Sequence, residues 1–431
     1  MSRARLVALA LAALLPCLGM QAPPTAPAPI ANADAPLPVR GINALGGRIF
    51  HVPQGLAFES IAPFLKPGDE VLLLKGVHAP FTLTDLRGER GKPIIIHGEL
   101  GEEPARYPLI KAAAFGIRLV RPQHVIVRDL MVANGVGPLV MVEGEPNADP
   151  GAAPWEANVK LFGLRLMQNM PSPEQCSLLL RGVSRVDASN MSIRGWNLAA
   201  VAVERSQQCS VQQVVLEVAN GLPQAIGMQV GQGCRQIAFG MLTFGPRVGT
   251  AFRIGACEGA PPDAPRCAEV LVSRCSVPEA KCFLSLGAAE KVRIEWNTVT
   301  DPTRCVWRAE PECGPPLEIQ FDHNLFAWMP GGIELLCEVP STVPAESVQL
   351  QANLWFSAEI PAAFEEIGKP FGVQLAPQVL DVDPRMEPKD ASPREPKAQG
   401  FGWRARLNPP PAAARPPSGA SEPTPPSAPA P

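Results

Sequence analysis

Three eight-residue stretches near the end of the apolar part of the chain share one pattern. They read Val-Arg-Ile-Glu-Trp-Asn-Thr-Val over 292–299, Ile-Gln-Phe-Asp-His-Asn-Leu-Phe over 319–326 and Val-Gln-Leu-Gln-Ala-Asn-Leu-Trp over 348–355. Each has apolar residues at positions one, three and eight and Asn at position six. Nine copies of the pattern, with Asn or an apolar residue at position six, start at residues 125, 159, 186, 211, 237, 270, 292, 319 and 348. The copy that starts at Val211 is imperfect. A pattern that returns every ~25 residues indicates a solenoid of stacked units.

A second apolar segment of three to six residues lies between successive copies. Gly, Pro or polar residues bound these segments: 139–142, 177–180, 200–203, 225–230, 251–254, 282–286 and 333–336. No stretch keeps a 3.6-residue period over ten residues, so the segments are predicted to be strands. Two or three short strands per ~25 residues predict an all-β parallel β-helix of about ten coils, in which Asn at the bend adopts the left-handed conformation and bonds to the Asn of the next coil. A β-sandwich or propeller is the alternative, but neither predicts one inward pattern at every repeat.

Composition sets the domain boundaries. The chain has 431 residues, 46% of them hydrophobic, and a formal net charge of −3. We expect a signal peptide over 1–20, an Ala/Pro-rich linker over 21–38, the β-helix domain over 39–386 and a Pro-rich disordered tail over 387–431. The protein is therefore expected to be secreted or periplasmic, with no membrane span beyond the signal peptide. The balanced charge does not favour a nucleic-acid partner.

Cysteines are numerous for an exported chain. Of the 11 cysteines, only Cys17 lies in the predicted signal peptide. An oxidising compartment favours disulfides. Three pairs are candidates: Cys209 with Cys234 and Cys282 with Cys305, as stacked positions on successive coils, and Cys257 with Cys267, which bracket a long insertion. The connectivity stays open at this stage.

The N-terminal segment carries a specific resemblance. Pro67-Gly68-Asp69 forms a tight turn before the apolar run Val71–Leu74, and Gly91-Lys92-Pro93 precedes a second run, Ile94–Ile96. This opening resembles that of secreted right-handed parallel β-helix proteins of the pectate-lyase-like superfold, closest to the branch with alginate lyases and chondroitinase-B-like lyases. The resemblance covers roughly residues 48–356 and implies the fold rather than the chemistry.

Such lyases cleave uronate polymers by β-elimination, typically with Lys and Arg as base and charge neutraliser, and sometimes with calcium. No run of Asp and Glu appears on consecutive repeats, so calcium is not supported, and no metal site or cofactor is predicted. No Asp-Asp pair of the hydrolase kind is found. The catalytic residues are therefore not assigned, and the alternative to a lyase or a degenerate lyase is a non-catalytic structural or surface β-helix held by disulfides.

One candidate binding surface remains. If the second strands stack in register, six polar residues project outward along one face: Arg181, Glu204, Gln229, Arg253, Arg308 and Glu334. Such a stripe fits an acidic polysaccharide, and the alternative is an ordinary solvated face. His323, in a repeat turn, is the best-placed histidine for acid–base chemistry. Arg253 and Arg308 are expected to contribute most, and replacing either with Ala should weaken binding without unfolding the chain, because outward side chains leave no cavity.

Overall fold

The computed structural model describes residues 38–100, 107–146, 152–168, 176–218, 224–257, 265–328, 333, 336–340, 343–357, 398, 401 and 402. These residues form a parallel β-helix, so the predicted fold class is confirmed. The predicted signal peptide, nearly all of the linker, and most of the Pro-rich tail lie outside the described residues. No helix in the described part of the chain is long and apolar enough to cross a membrane.

Thirty-two short strands follow one another along the described chain. In chain order they are β1 (Val39–Ile42), β2 (Arg48–Val52), β3 (Glu70–Leu73), β4 (Val77–His78), β5 (Phe81–Thr84), β6 (Ile94–Gly98), β7 (Leu109–Lys111), β8 (Ile117–Val120), β9 (Val125–Arg128), β10 (Met131–Ala133), β11 (Val140–Glu143), β12 (Trp155–Phe162), β13 (Arg165–Met167), β14 (Cys176–Arg181), β15 (Val183–Arg194), β16 (Ala199–Glu204), β17 (Gln207–Glu217), β18 (Ile226–Gly231), β19 (Arg235–Gly240), β20 (Thr243–Phe244), β21 (Thr250–Ala256), β22 (Cys267–Ser273), β23 (Ser276–Pro278), β24 (Cys282–Leu286), β25 (Ala289–Glu295), β26 (Thr298–Thr300), β27 (Cys305–Ala309), β28 (Leu317–Asp322), β29 (Leu325–Trp328), β30 (Cys337–Glu338), β31 (Val348–Gln351) and β32 (Leu354–Ser357). Four 3-10 turns are also described: Phe58–Ser60, Ala62–Phe64, Pro311–Cys313 and Ala345–Ser347.

Each full coil contributes strands to three parallel ladders. The first ladder stacks β2, β3, β6, β9, β12, β15, β17, β19, β22, β25, β28 and β31. The second ladder runs from β4 to β32, and because β15 and β17 continue through the bend, the two ladders form one 22-stranded sheet. The third ladder is a separate ten-stranded sheet in the order β30-β27-β24-β21-β18-β16-β14-β11-β8-β5.

The first ladder confirms the sequence repeat, with one correction. The register places Ile237 on Val270, Val270 on Val292 and Val292 on Ile319, as the pattern predicts. The copy assigned to Val211 is wrong by two residues, because Cys209 rather than Val211 pairs with Ile237. A slip of two residues keeps every side chain on the same face of a strand, so the apolar alternation alone could not detect the error.

The bend between the first and second ladders is built by a column of buried asparagines. The Asn297 Nδ2 donates to Asn324 Oδ1 at 2.9 Å, and the Asn324 Nδ2 donates to Asn353 Oδ1 at 2.8 Å. The predicted hydrogen bonds between asparagines of successive coils are therefore present. The left-handed residue, however, is the one before each Asn, with φ of 61° at Trp296 and 53° at His323. The Asn side chain faces the interior because the preceding residue turns the backbone.

The opening turn of the resemblance has a clear physical role. Gly68 has a φ of +89°, which favours glycine. The carboxylate of the next residue, Asp69, is buried and accepts hydrogen bonds from the backbone N–H groups of Arg48 and Lys66 and from the Arg48 guanidinium. Burial raises the pKa of Asp69, but these donors together outweigh it and the pKa is lowered. The turn therefore ties the first coil to the second.

The outward face of the last coils is covered by residues near the C-terminus. Leu325, Ala327, Leu354 and Phe356 form a buried apolar cluster with Ala398, and Phe401 packs against it. The Gly402 N–H donates to the carbonyl oxygen of His323 at 3.1 Å. Apolar contact and a backbone hydrogen bond thus attach part of the Pro-rich segment to the β-helix, which its composition did not indicate.

Candidate functional site

The outward face of the ten-stranded sheet presents columns of side chains, and two of these columns contain the residues of the predicted stripe. The first column follows the register Thr82, Arg118, Met141, Leu179, Ala202, Gln229, Arg253, Ser285, Arg308 and Glu338. The second column follows Thr84, Val120, Glu143, Arg181 and Glu204. Residues that alternate with these columns, such as Phe252 and Ile254, are completely buried.

The predicted polar stripe is divided between these two columns. Gln229, Arg253 and Arg308 lie in the first column, whereas Arg181 and Glu204 lie in the second. The two groups are offset by two positions along the strand, which is about 7 Å. The stripe as a single line is therefore wrong, for the same reason as at Val211: a two-residue offset leaves the outward alternation unchanged.

The predicted end of the stripe is also displaced. Glu334 lies outside the described residues, and Glu338 is the residue that pairs with Arg308 in the register. The last strand of this sheet is Cys337–Glu338, whereas the sequence pattern placed it at 333–336. A short apolar run does not show where a two-residue strand begins, because its position depends on pairing with the previous coil.

The middle of the outward face is apolar rather than charged. Six neighbouring side chains there are less than 9% exposed: Met141, Cys176, Leu179, Ala199, Ala202 and Ile226. Apart from Arg118 on an early coil, the charged groups of the first column therefore lie on the later coils, around Arg253 and Arg308. We call Arg253, Ser285, Arg308 and Glu310 the Glu310 cluster.

Glu310 holds the cluster together. It follows β27 directly, and its backbone N–H donates to the carbonyl oxygen of Leu286 at 2.7 Å. The Arg253 guanidinium donates through Nε and Nη2 to the two carboxylate oxygens of Glu310, at 2.7 and 2.8 Å. The Ser285 Oγ–H donates to Oε1 at 2.7 Å. The Glu310 side chain is 5% exposed and that of Arg253 is 15% exposed, so this is a buried, bidentate ion pair.

The carboxylate of Glu310 stays ionised in this environment. Burial raises its pKa, but hydrogen bonds from Arg253 and Ser285 and the charges of Arg253 and Arg308 outweigh burial, and the pKa is lowered. Arg253 therefore neutralises a buried charge and is not the exposed cation that the sequence predicted. Its replacement is now expected to destabilise the fold.

Arg308 is the more accessible cation of the Glu310 cluster. Its Nε donates to Ser285 Oγ at 2.9 Å, its Nη2 lies 3.7 Å from Glu310 Oε1, and its side chain is 33% exposed. No hydrogen bond from its Nη1 or Nη2 to a described residue is found. Ser285 thus fixes the guanidinium by one edge and leaves the other available for a planar acceptor such as a carboxylate.

The other charged side chains on this face that the sequence or the register places near the stripe are paired with one another. Arg304 pairs with Glu338 at 2.6 Å. On the earlier coils, Arg118 donates to the buried Glu143 at 2.6 Å, and Arg181 pairs with Glu204 at 2.7 Å. Arg181 and Glu204 are thus partners of each other rather than separate ligand contacts, and each is a little more than one-third exposed.

His323 lies away from this face. It sits at the bend between β28 and β29 of the 22-stranded sheet, where its ring stacks on Trp296 with centroids 4.3 Å apart. Phe401 lies beyond it, at 5.7 Å. Its Nδ1 is 2.8 Å from an oxygen of Asp322. The structure does not bring His323 together with the other predicted site residues.

One disulfide anchors the turn that carries Glu310. Cys257 bonds to Cys313, three residues after Glu310, which overturns the predicted Cys257–Cys267 pair. Gly287, directly after β24, packs against this turn. A Cβ at this position would lie 2.9 Å from the Cβ of Cys313, so a side chain here would require the disulfide turn to shift. The sequence predicted a disulfide within the long insertion. Instead, Cys257, at the start of the insertion, bonds to a cysteine two coils further along the chain.

The other cysteine pairs differ from expectation in one case. Cys209 and Cys234 are not in register, since Cys209 pairs with Ile237, and Cys234 directly precedes the Arg235–Ala268 pair, opposite Cys267. Cys282 and Cys305 are in register as predicted, with their sulfurs 3.2 Å apart and both as thiols.

Glu310, Glu312 and Cys313 bring three potential metal ligands within 4.8 Å of one another. The chemistry of these groups does not fit a metal centre. The Cys313 sulfur is in a disulfide and has no thiolate, and both oxygens of Glu310 are bound by Arg253. We therefore assign these three residues a structural role and not a metal-binding one.

Sequence reasoning missed Ser285, Glu310 and Glu143, the residues that orient the arginines. Ser285 lies inside a segment that was recognised as a strand, so its outward position could have been derived from alternation. Glu310 could not, because it follows the strand and reaches back across two coils to Arg253, 57 residues earlier.

Comparison with known proteins gives the fold. No protein-family model and no curated protein matches this sequence. Among solved structures, the chain is similar to "Structure of PL6 family alginate lyase AlyGC", with 12% identity, a TM-score of 0.50, and coverage of 84% of this chain and 58% of that chain. The chain thus spans little more than half the length of that enzyme.

Two further structures are similar at lower scores. They are an alginate lyase from Paenibacillus sp. str. FPU-7, with 10% identity, a TM-score of 0.40 and coverage of 71% of this chain and 98% of that chain, and the pectate lyase Pel9A, with 11% identity, a TM-score of 0.36 and coverage of 70% and 79%. The strand topology and the alginate lyase structure with a TM-score of 0.50 confirm the resemblance of the opening segment at the level of the parallel β-helix fold.

Proposed function

We propose that the protein binds an acidic polysaccharide on the outward face of the ten-stranded sheet, with Arg308 as the main cationic contact. The observation that carries this proposal is the geometry of Arg308. Its half-buried guanidinium is held by Ser285 at 2.9 Å, its Nη2 has only a long ion-pair contact of 3.7 Å to Glu310, and no hydrogen bond joins its terminal nitrogens to a described residue. A uronate carboxylate can accept two parallel hydrogen bonds from such a guanidinium. The fold, shared with an alginate lyase structure, supports a carbohydrate ligand by analogy.

Binding is proposed in preference to catalysis. A β-elimination needs a base in addition to a cation that stabilises the developing enolate. Arg253 is occupied by Glu310, and the residues that would act as base are not assigned. The protein acts, in this proposal, outside the cytoplasm, as its N-terminal sequence predicts. A lyase activity is tested in the same experiment.

The test is a binding screen with alginate, pectate, chondroitin and a heparin-like chain, with neutral dextran as the control polymer. We expect at least one acidic chain to bind, and Arg308→Ala to weaken that binding by about 10- to 100-fold, or ~1–3 kcal/mol, the size of a charge-assisted hydrogen bond. Binding should weaken as salt is added, because exposed charges are screened.

Arg293→Ala is the matched control. Arg293 is 61% exposed on the other sheet and pairs with Glu295, so its loss changes the net charge equally without touching the Glu310 cluster. Equal binding by wild type and Arg308→Ala would place the site on another face. No binding to any chain would favour the structural β-helix. Formation of an ultraviolet-absorbing unsaturated product would establish a lyase.

A further inference from the structure

The structure assigns Cys282 and Cys305 as a site of oxidation: we propose that these two thiols form a disulfide that cross-links two successive coils beside the Glu310 cluster. The two residues begin β24 and β27 and are paired in the register. Their sulfur atoms are 3.2 Å apart. This proposal is independent of the proposed function.

The backbone already has the spacing that a disulfide requires. Neighbouring strands lie about 4.8 Å apart, within the Cα–Cα range of about 4.4–6.8 Å that disulfides span. The sulfurs need to approach by only about 1.2 Å to reach the bonded distance of ~2.05 Å. A small change in side-chain torsion is enough, so the coil stacking does not have to change.

Other described cysteines differ from this pair. The thiol of Cys275 points to the carbonyl oxygen of Ser273, at 3.4 Å, and that of Cys234 to the carbonyl oxygen of Val203, also at 3.4 Å. The thiol of Cys282 also contacts a backbone oxygen, that of Leu284 at 3.2 Å, but its sulfur lies in addition 3.2 Å from that of Cys305. Register alone is therefore not enough, since Cys234 stands opposite Cys267 and no contact between their sulfurs is found. Only for Cys282 and Cys305, among the described thiols, is a sulfur–sulfur contact found.

The surroundings favour the thiolate of one of the two residues. The hydrogen bond between the sulfurs, together with the positive charges of Arg308 and Arg304, lowers the pKa of Cys305 despite its burial, whereas the same hydrogen bond and burial raise the pKa of Cys282. Cys305 is therefore the thiol that ionises first. Ser285 and Arg308 lie three residues after the two cysteines in the same pair of strands. A covalent link between Cys282 and Cys305 would therefore fix the spacing of the strands from which Ser285 and Arg308 project.

The oxidant is a disulfide, either a thiol–disulfide oxidoreductase or glutathione disulfide. One thiolate attacks a sulfur of the oxidant and forms a mixed disulfide, releasing one thiol of the oxidant. The second thiolate then attacks the mixed disulfide, forms the Cys282–Cys305 bond and releases the other thiol. The protein loses two electrons and two protons, and the oxidant gains them. Because both thiols are buried, with 2% and 0% exposure, the oxidant reaches them as the coils close during folding, when the register already brings the two sulfurs together.

Tryptic mapping of the full chain tests the proposal. The protein is folded with glutathione disulfide, denatured without reductant in iodoacetamide, and digested. Trypsin places the three informative cysteines on separate peptides: 275–281, 282–291 and 305–308. We expect the last two to be joined, unalkylated and two hydrogens lighter than their sum, whereas Cys275 is alkylated.

Two outcomes would overturn the proposal. One is alkylation of Cys282 and Cys305 to the same extent as Cys275. The other is a link from Cys305 to Cys337 or from Cys282 to another cysteine. In Cys282→Ser, Cys305 should become fully alkylated, and in Cys275→Ser the Cys282–Cys305 link should be unchanged, which separates loss of the bond from a general loss of folding.

Discussion

At the scale of a residue, Glu310 shows how a buried carboxylate is kept charged on a face that otherwise has apolar neighbours. Both of its oxygens accept hydrogen bonds from Arg253, and one also accepts from Ser285. The Arg253 side chain therefore has a structural role, because it neutralises the buried carboxylate of Glu310. Arg308, which donates to Ser285 rather than directly to Glu310, is the residue that remains for a ligand.

Removing Arg253 should destabilise the protein. In Arg253→Ala, the buried Glu310 loses its counter-charge and two hydrogen bonds, and breaking such a pair costs about 3–5 kcal/mol. Urea unfolding of the full chain should show this loss. The exposed pair offers the comparison: Arg293→Ala should change stability by less than about 1 kcal/mol. Equal effects of the two replacements would contradict a structural role for the Arg253–Glu310 pair.

The same pair predicts a dependence on pH. The pKa of Glu310 in the folded protein is lowered, so ionisation stabilises the fold at pH values above the ordinary pKa of 4.5. That contribution is lost as the pH falls through the lowered value. Glu310→Gln should therefore melt at a lower temperature than wild type at pH 7, and the difference should shrink on acidification below about pH 4. A difference that grows on acidification would contradict the direction of the shift.

At the scale of an element, the bend between the first and second ladders depends on a hydrogen-bonded column rather than on chain propensity. Asn324 is completely buried and bonds to the coil before it and the coil after it. Its oxygen also accepts from the backbone N–H of Asn297. The amide thus replaces backbone pairing that the bend interrupts.

Asn324→Leu has a similar size and should test this column. It removes the acceptor of the Asn297 backbone N–H and Nδ2 and the donor to the Ile294 carbonyl oxygen. We expect a loss of about 3 kcal/mol, since each buried unsatisfied group costs ~1–3 kcal/mol. Chemical denaturation provides the measurement. Gln349→Ala, at an exposed position on β31, is the control and should be near neutral. A near-neutral Asn324→Leu would show that the column is dispensable.

At the scale of the whole molecule, one side of the last coils is covered by a later segment of the chain. The outward apolar cluster of these coils is closed by Ala398 and Phe401, and the Gly402 N–H donates to the carbonyl oxygen of His323. Here the covering lies on the side of the final coils, next to the Trp296–His323 stack.

Phe401→Ala should loosen only this end of the molecule. Hydrogen exchange should accelerate in β29 and β32, whose outward residues contact this segment, and stay unchanged in β9, because stability in a solenoid is transmitted mainly between neighbouring coils. Phe162→Ala removes an aromatic side chain that is 42% exposed and serves as the control. Uniform acceleration along the whole β-helix, or none in β29 and β32, would contradict this role of Phe401.

The sequence by itself determined the fold class, the coil repeat and the asparagine column, because apolar alternation and Asn at the bend are local and recur in every coil. It also identified Arg308 as an outward cation and Cys282 and Cys305 as stacked. The tertiary structure alone decided four features. It shifted the repeat at Val211 by two residues to Cys209, and it divided the charged stripe into two columns. It also paired Cys257 with Cys313 and buried Arg253 against Glu310. Two physical reasons account for these four features. A shift of two residues preserves the face of a strand, and partners that are 56 or 57 residues apart in the chain meet only when the coils are stacked.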